Sequence, residues 1–248
     1  MIQKIISESS IDFPGKFGPV IFTSGCNFRC GFCHNPDLIG KSKISKKELE
    51  ELELELKKIK VKTENKWYNG ITITGGEPLM HNLDEIIKKF RELGLDIKLD
   101  TNGSFPDKLK DLIDRELIDY VAMDIKARKE DYGKVAGVKI NIENIEKSVK
   151  ILSDSEIKFE LRTTIIPFPE EKRFMNLEEI EKMRDWIFSL TGKRMKWVLQ
   201  SFVSRDKGEV LNDEYSKENL KFELQETPKE LLEQMKKILE KNFDCEIR

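Results

Sequence analysis

Gly18-Pro-Val-Ile-Phe-Thr-Ser24 runs directly into Gly25-Cys26-Asn-Phe-Arg-Cys30-Gly-Phe-Cys33-His-Asn35. The first stretch is short, rich in β-branched and aromatic residues, and opens on glycine, the pattern of a buried strand over 18–24. It delivers Cys26, Cys30 and Cys33 at its C-terminal end, with three residues between the first two and two between the last two. These are three of the four cysteines in the chain. A cubane iron–sulfur cluster held entirely by protein takes four thiolates. Three leave one iron open to another ligand. A structural zinc site is the competing reading. Zinc wants four ligands, and His34 could be the fourth, but neighbouring residues rarely aim at one tetrahedral ion. The second, separated pair usual in zinc motifs is missing.

Working outward, the same unit recurs. Helices are expected over 45–61, 83–93, 107–116, 142–152, 177–190 and 227–242, and strands over 70–74, 96–100, 120–125, 157–166 and 197–202, with a short strand over 244–247. Ser45 is the expected N-cap of the first helix, whose stripe is Leu49, Leu52, Leu56 and Ile59. Leu54 breaks that stripe and predicts contact on a second side. Gly94 closes the 83–93 helix. Thr227 is the expected N-cap of the last helix, with Pro228 at its first position. Six strand–helix units imply an α/β fold with a parallel sheet. Polar and glycine-rich residues gather where strands end, at Cys26, Gly75, Asp100, Asp124 and Gln200, which is where sites form in barrels and open sheets alike.

The composition fits a globular chain of 248 residues with one domain, 1–248. Lys+Arg number 44 and Asp+Glu 46, a net charge of −2, so no basic excess points to nucleic acid. The segment 1–10 lacks the apolar core of a signal peptide, and no apolar run is long enough to span a bilayer. A cytoplasmic location is expected, where clustered cysteines serve as metal ligands or redox groups rather than disulfides. Cys245 stands alone and is expected to be a small buried hydrophobe. The connection 203–225 reads either as a docking element or as a solvated link.

Thr74-Gly75-Gly76-Glu77-Pro78 ends the second strand. Two residues without Cβ let a ligand approach the backbone, and carbonyls with the Glu77 carboxylate would accept from an ammonium group. One strand–helix unit after the cysteine triad, this segment resembles that of the radical S-adenosylmethionine enzymes. Leu99-Asp100-Thr101-Asn102-Gly103, Met123-Asp124-Ile125-Lys126 and the upstream Ile11-Asp12-Phe13-Pro14-Gly15 narrow the likeness. They are similar to the glycyl-radical-enzyme activating enzymes, closest to the group that activates anaerobic ribonucleoside-triphosphate reductase.

That resemblance spans most of the chain and implies a partial (β/α)6 TIM-like barrel carrying one 4Fe-4S cluster on Cys26, Cys30 and Cys33. It implies S-adenosylmethionine as cofactor, with Phe32 against the adenine and Gly75, Gly76, Glu77 and Pro78 at the methionine amino group. Asp124 and Lys126 would contact the amino and carboxylate groups, joined by Arg162. Gln200 would stand in for a ribose-contacting histidine that this chain lacks. Asp100, Thr101 and Asp124 would hold a monovalent cation. The implied reaction is reductive cleavage of S-adenosylmethionine to a 5′-deoxyadenosyl radical, which takes a glycine hydrogen from a partner glycyl radical enzyme. A flavodoxin or ferredoxin would donate the electron, and no membrane or nucleic acid is involved. A radical enzyme acting on a small molecule or modified nucleotide would share these motifs.

Overall fold

The structure is a computed structural model describing residues 2–40 and 46–248. The chain forms two compact units. One holds 1–27 and 37–122, the other 28–36 and 123–248.

The first unit opens on β1 (Ile2–Ser9), antiparallel to β2 (Gly18–Thr23). After the short α1 (Pro36–Gly40) and the long α2 (Lys46–Glu64) comes β3 (Gly70–Gly75), parallel to β2, with Phe22 opposite Thr74. Helix α3 (Asp84–Glu92) leads to β4 (Asp96–Thr101), parallel to β3. Helix α4 (Pro106–Asp114) leads into β5 (Tyr120–Asp124). Ile71, Ile73, Ile97 and Leu99 are buried, as are Ile86, Ile87 and Phe90 of α3 and Leu109 and Leu112 of α4. Burying such side chains is worth roughly 2 kcal/mol each and is the main reason these strands and helices form.

In the second unit, α5 (Tyr132–Ala136) and α6 (Ile142–Asp154) precede β6 (Lys158–Ile165). A two-stranded antiparallel pair, β7 (Pro167–Phe168) and β8 (Arg173–Phe174), leads to α7 (Leu177–Thr191). Asn176 caps α7 in a capping box with Glu179. Strand β9 (Lys196–Ser201) is parallel to β6, and after α8 (Lys229–Leu239) strand β10 (Asp244–Ile247) runs parallel to β9. Trp197 is fully buried, donates from Nε1 to Thr163 Oγ1 at 3.0 Å, and meets Phe243 edge-on at 4.9 Å.

All six predicted strand–helix units are present, and the fold is α/β. Four details depart from the sequence reading. Strand β1 was not foreseen; it is held by β2 through pairing that local sequence cannot signal. Leu54 is 53% exposed, so a second side of α2 is not buried there. Ile59 is buried, whereas Ser45 and the side chains of Leu49 and Leu52 lie outside the described residues. Thr227 does not cap the last helix: its Oγ1 accepts from Phe202 N and donates to Ile165 O, both at 2.8 Å, and Pro228 takes the cap position instead. Cys245 is only half-buried, yet burial, reinforced by Glu240, pushes its thiol up to about 12, the state of an inert thiol.

Candidate active site

In the first unit the site grows from the ends of β2, β3 and β4. Beyond β2 the chain turns at Gly25, whose φ of +79° suits glycine. Gly25 N donates to Leu38 O at 2.6 Å, and Gly25 O accepts from Glu77 N at 2.8 Å. Gly76 N donates to Thr23 O at 3.0 Å. The glycine-rich turn is therefore zipped to the backbone that leads into Cys26. A Cβ on Gly76 would sit 1.8 Å from Gly25 O, and one on Gly75 would sit 2.3 Å from Thr23 N. The paired glycines thus admit a close approach by the chain itself.

Glu77 is fully buried. Its carboxylate accepts from Leu79 N at 3.1 Å, Thr101 Oγ1 at 2.8 Å and Asn102 N at 2.7 Å. That corrects its expected role as an open acceptor, because it ties the turn to the loop after β4. Pro78 is buried and starts the 3-10 turn Pro78–Met80. Asn102 Nδ2 donates to Asn27 Oδ1 at 2.9 Å, and Asn27 Nδ2 donates to Ser104 Oγ at 2.9 Å, which ties the residue after Cys26 to the same loop. One ring nitrogen of His81, Nε2, lies 2.6 Å from Ser24 O. Asp100, at the end of β4, pairs with the fully buried ammonium of Lys98. Sequence reading passed over Asn27, His81 and Lys98. Of these, only Lys98 left a signal: a lysine two residues before an aspartate in an apolar strand shares its face.

In the second unit the cysteine loop continues through Phe28, which is buried, to Cys30 and Cys33. Arg29 N donates to Ala136 O at 2.7 Å, and Cys33 N donates to Cys30 O at 3.0 Å, closing a turn. Cys30 is buried; burial pushes its thiol up, while the Lys126 ammonium pulls it down. Lys126 Nζ also lies 5.8 Å from the centre of the Phe32 ring, a cation–π placement. Phe32 meets Tyr215 at 6.1 Å, and His34 meets Phe202 at 6.2 Å. Burial, helped by Arg205, lowers the His34 pKa.

Asp124, at the end of β5, lies between Lys126 Nζ at 2.8 Å and Arg162 Nε at 3.1 Å. Burial alone would raise its carboxyl, but the two cations outweigh it and hold it at about 2. Lys126 is raised in turn, because Asp124 overcomes the cost of its burial. Gln200 stands half-buried near the end of β9, opposite Thr164.

The connection 203–225 is not a free link. Asn212 N donates to Gly31 O at 2.9 Å, and a Cβ on Gly31 would lie 2.7 Å from Tyr215 Cε2. Val210, Leu220 and Leu224 are buried. The segment therefore packs on the cysteine loop of its own unit.

The donor set suits a cluster. All the cysteines are free thiols, and the triad offers three. Among the described residues, no three His, Cys, Asp or Glu side chains converge as donors to a single metal ion. In a cubane each thiolate binds a different iron, so the triad need not meet at one point. No helix among the described residues is long and apolar enough to cross a membrane.

The sequence pattern of the Radical SAM superfamily matches residues 20–187. A Methanocaldococcus jannaschii protein named "Putative glycyl-radical enzyme activating enzyme MJ1227" is 32% identical over 187 residues, covering 73% of this chain and 72% of that one. The pyruvate formate-lyase-activating enzyme of Clostridium pasteurianum is 26% identical over 242 residues, covering 96% and 98%. The crystal structure of Streptococcus suis SuiB superposes with a TM-score of 0.58 at 15% identity, over 92% of this chain and 48% of that one, a likeness of fold.

Proposed function

The chain belongs to the Radical SAM superfamily, and on that premise we propose that it is a glycyl-radical-enzyme activating enzyme. The observation that carries this reading is the correspondence with a pyruvate formate-lyase-activating enzyme over 96% of this chain and 98% of that one. In this reading 1–248 acts as one radical S-adenosylmethionine domain, with the loop 24–40 holding one 4Fe-4S cluster through Cys26, Cys30 and Cys33. Cluster and S-adenosylmethionine together supply one-electron cleavage chemistry, and a glycine Cα–H of a partner protein is the target.

The chain's own residues bind, orient and exclude water. Asp124, Lys126 and Arg162 form a partly exposed set of one anion and two cations, matched to a zwitterionic amino acid. The substrate ammonium exchanges onto Asp124 and its carboxylate onto Lys126 and Arg162. Backbone carbonyls of Gly75 and Gly76, shaped by Pro78, add acceptors. Phe32 offers a ring face to the adenine, Gln200 serves the ribose, and Asp100 stays paired with Lys98. Glu77 acts behind these groups by fixing the turn. An anaerobic ribonucleotide reductase is the partner proposed first, a flavodoxin or ferredoxin the electron donor, and the cytoplasm the location.

The test is anaerobic reconstitution followed by incubation with S-adenosylmethionine, reductant and candidate glycyl radical enzymes. Bound iron and sulfide, 5′-deoxyadenosine and a glycine-centred EPR doublet are expected. Cys30→Ala should abolish all three while the circular dichroism spectrum stays native. Zinc bound without iron and sulfide, or cleavage retained in Cys30→Ala, would overturn the reading.

A further inference from the structure

The three residues expected to hold a monovalent cation are each already supplied with partners. Lys98 is fully buried on β4, and its ammonium pairs with Asp100, whose side chain is 12% exposed. Lys98 stands opposite Thr72 in the β3–β4 register, and Thr72 is also buried, so water does not solvate this ammonium. A buried ammonium persists only beside an anion, and the same pairing neutralises the anion. Thr101 Oγ1 donates its proton to Glu77 and accepts from Gly103 N at 3.1 Å. Asp124 carries two cations, Lys126 and Arg162. In its own unit Asp100 already faces a buried ammonium, and an added metal ion would bring a second positive charge to a carboxylate already neutralised. The residues do not fit the cation.

We propose that the Lys98 ammonium does in this chain what a bound monovalent cation would do, so that S-adenosylmethionine binds without sodium or potassium. The inference rests on the functional reading above. The ammonium is tethered beside Asp100, so its charge is present at every salt composition. It holds the Asp100 carboxylate in place beside the loop that Glu77 and Asn102 fix.

The test uses the anaerobically reconstituted protein. S-adenosylmethionine affinity is measured by equilibrium dialysis in tetramethylammonium chloride, then in potassium or sodium chloride at the same ionic strength. Thallous ion, a potassium surrogate, is titrated in parallel and followed by thallium NMR. Wild-type affinity should agree within about twofold across the salts, with no bound thallium signal. Lys98→Met should lose roughly tenfold or more in tetramethylammonium, recover in potassium, and show a bound thallium signal, since linkage makes the two ligands help each other. A roughly tenfold potassium effect on the wild type, thallium bound to the wild type, or full affinity of Lys98→Met without potassium would overturn the proposal. Should Lys98→Met fail to fold, the wild-type measurements decide alone. Failure of S-adenosylmethionine to bind in any salt would instead sink the functional reading, whereas the thallium titration needs no nucleotide and still judges Lys98.

Discussion

Glu77 and Asp124 both follow the strand pattern of their own unit, yet they are held in opposite ways. Glu77 is sealed from solvent and accepts from two backbone amides and a hydroxyl. Asp124 keeps a quarter of its side chain exposed and sits between two long cationic side chains. Neutral donors fixed in the backbone cannot leave without unravelling a turn, so the first carboxylate is part of the scaffold. Ammonium and guanidinium groups on flexible stems can trade one anion for another, so the second is free to exchange partners with a charged ligand. Both carry a carboxylate at a strand end, but only the second is held by side chains that can change partners.

Three measurements sharpen this contrast. Glu77→Gln puts an amide N–H₂ among groups that are themselves donors. It should lower the unfolding free energy by about 3 kcal/mol, read as a lower urea midpoint. A wild-type midpoint would place Glu77 outside the scaffold. The second measurement is acid titration of stability. The Asp124 carboxyl is held at about 2 against an ordinary 3.8, a depressed value. Its contribution is therefore whole above the ordinary value and lost as pH falls through the folded one. Stability should drop by about 2 kcal/mol between roughly pH 4 and pH 2, and Asp124→Asn should flatten that part of the profile. An unchanged profile would mean the ion pairs do not hold. The third and smallest effect concerns Gly31. Gly31→Ala should cost about 1.5 kcal/mol through its clash with Tyr215, and adding Tyr215→Ala should cost less than the sum of the single changes. Strict additivity would separate the connection from the cysteine loop.

Much of this was legible before any coordinates. Apolar periodicity and glycine stops located the strand–helix units to within a few residues, because each buries its own stripe. The cysteine triad and the strand-end carboxylates stood out because such residues are costly in an apolar context. What local sequence could not carry were pairings across long separations. Strand β1 exists through β2, the Thr227 hydroxyl is drawn away from capping by Phe202 and Ile165, and Glu77 is claimed by Thr101 and Asn102. That the glycine pair also lies against the backbone of 23–25 was out of reach, because that segment lies about fifty positions upstream. Lys98 carries a local signal, but its burial depends on neighbouring strands that local sequence does not name.

The missing side chain at Gly31 has a consequence for inheritance. With Tyr215 filling the space a Cβ would need, the loop 28–34 and the segment 203–225 must vary in concert although about 170 residues separate them. A chimera that borrows one from a relative and keeps the other should assemble badly, and one that takes both together should not.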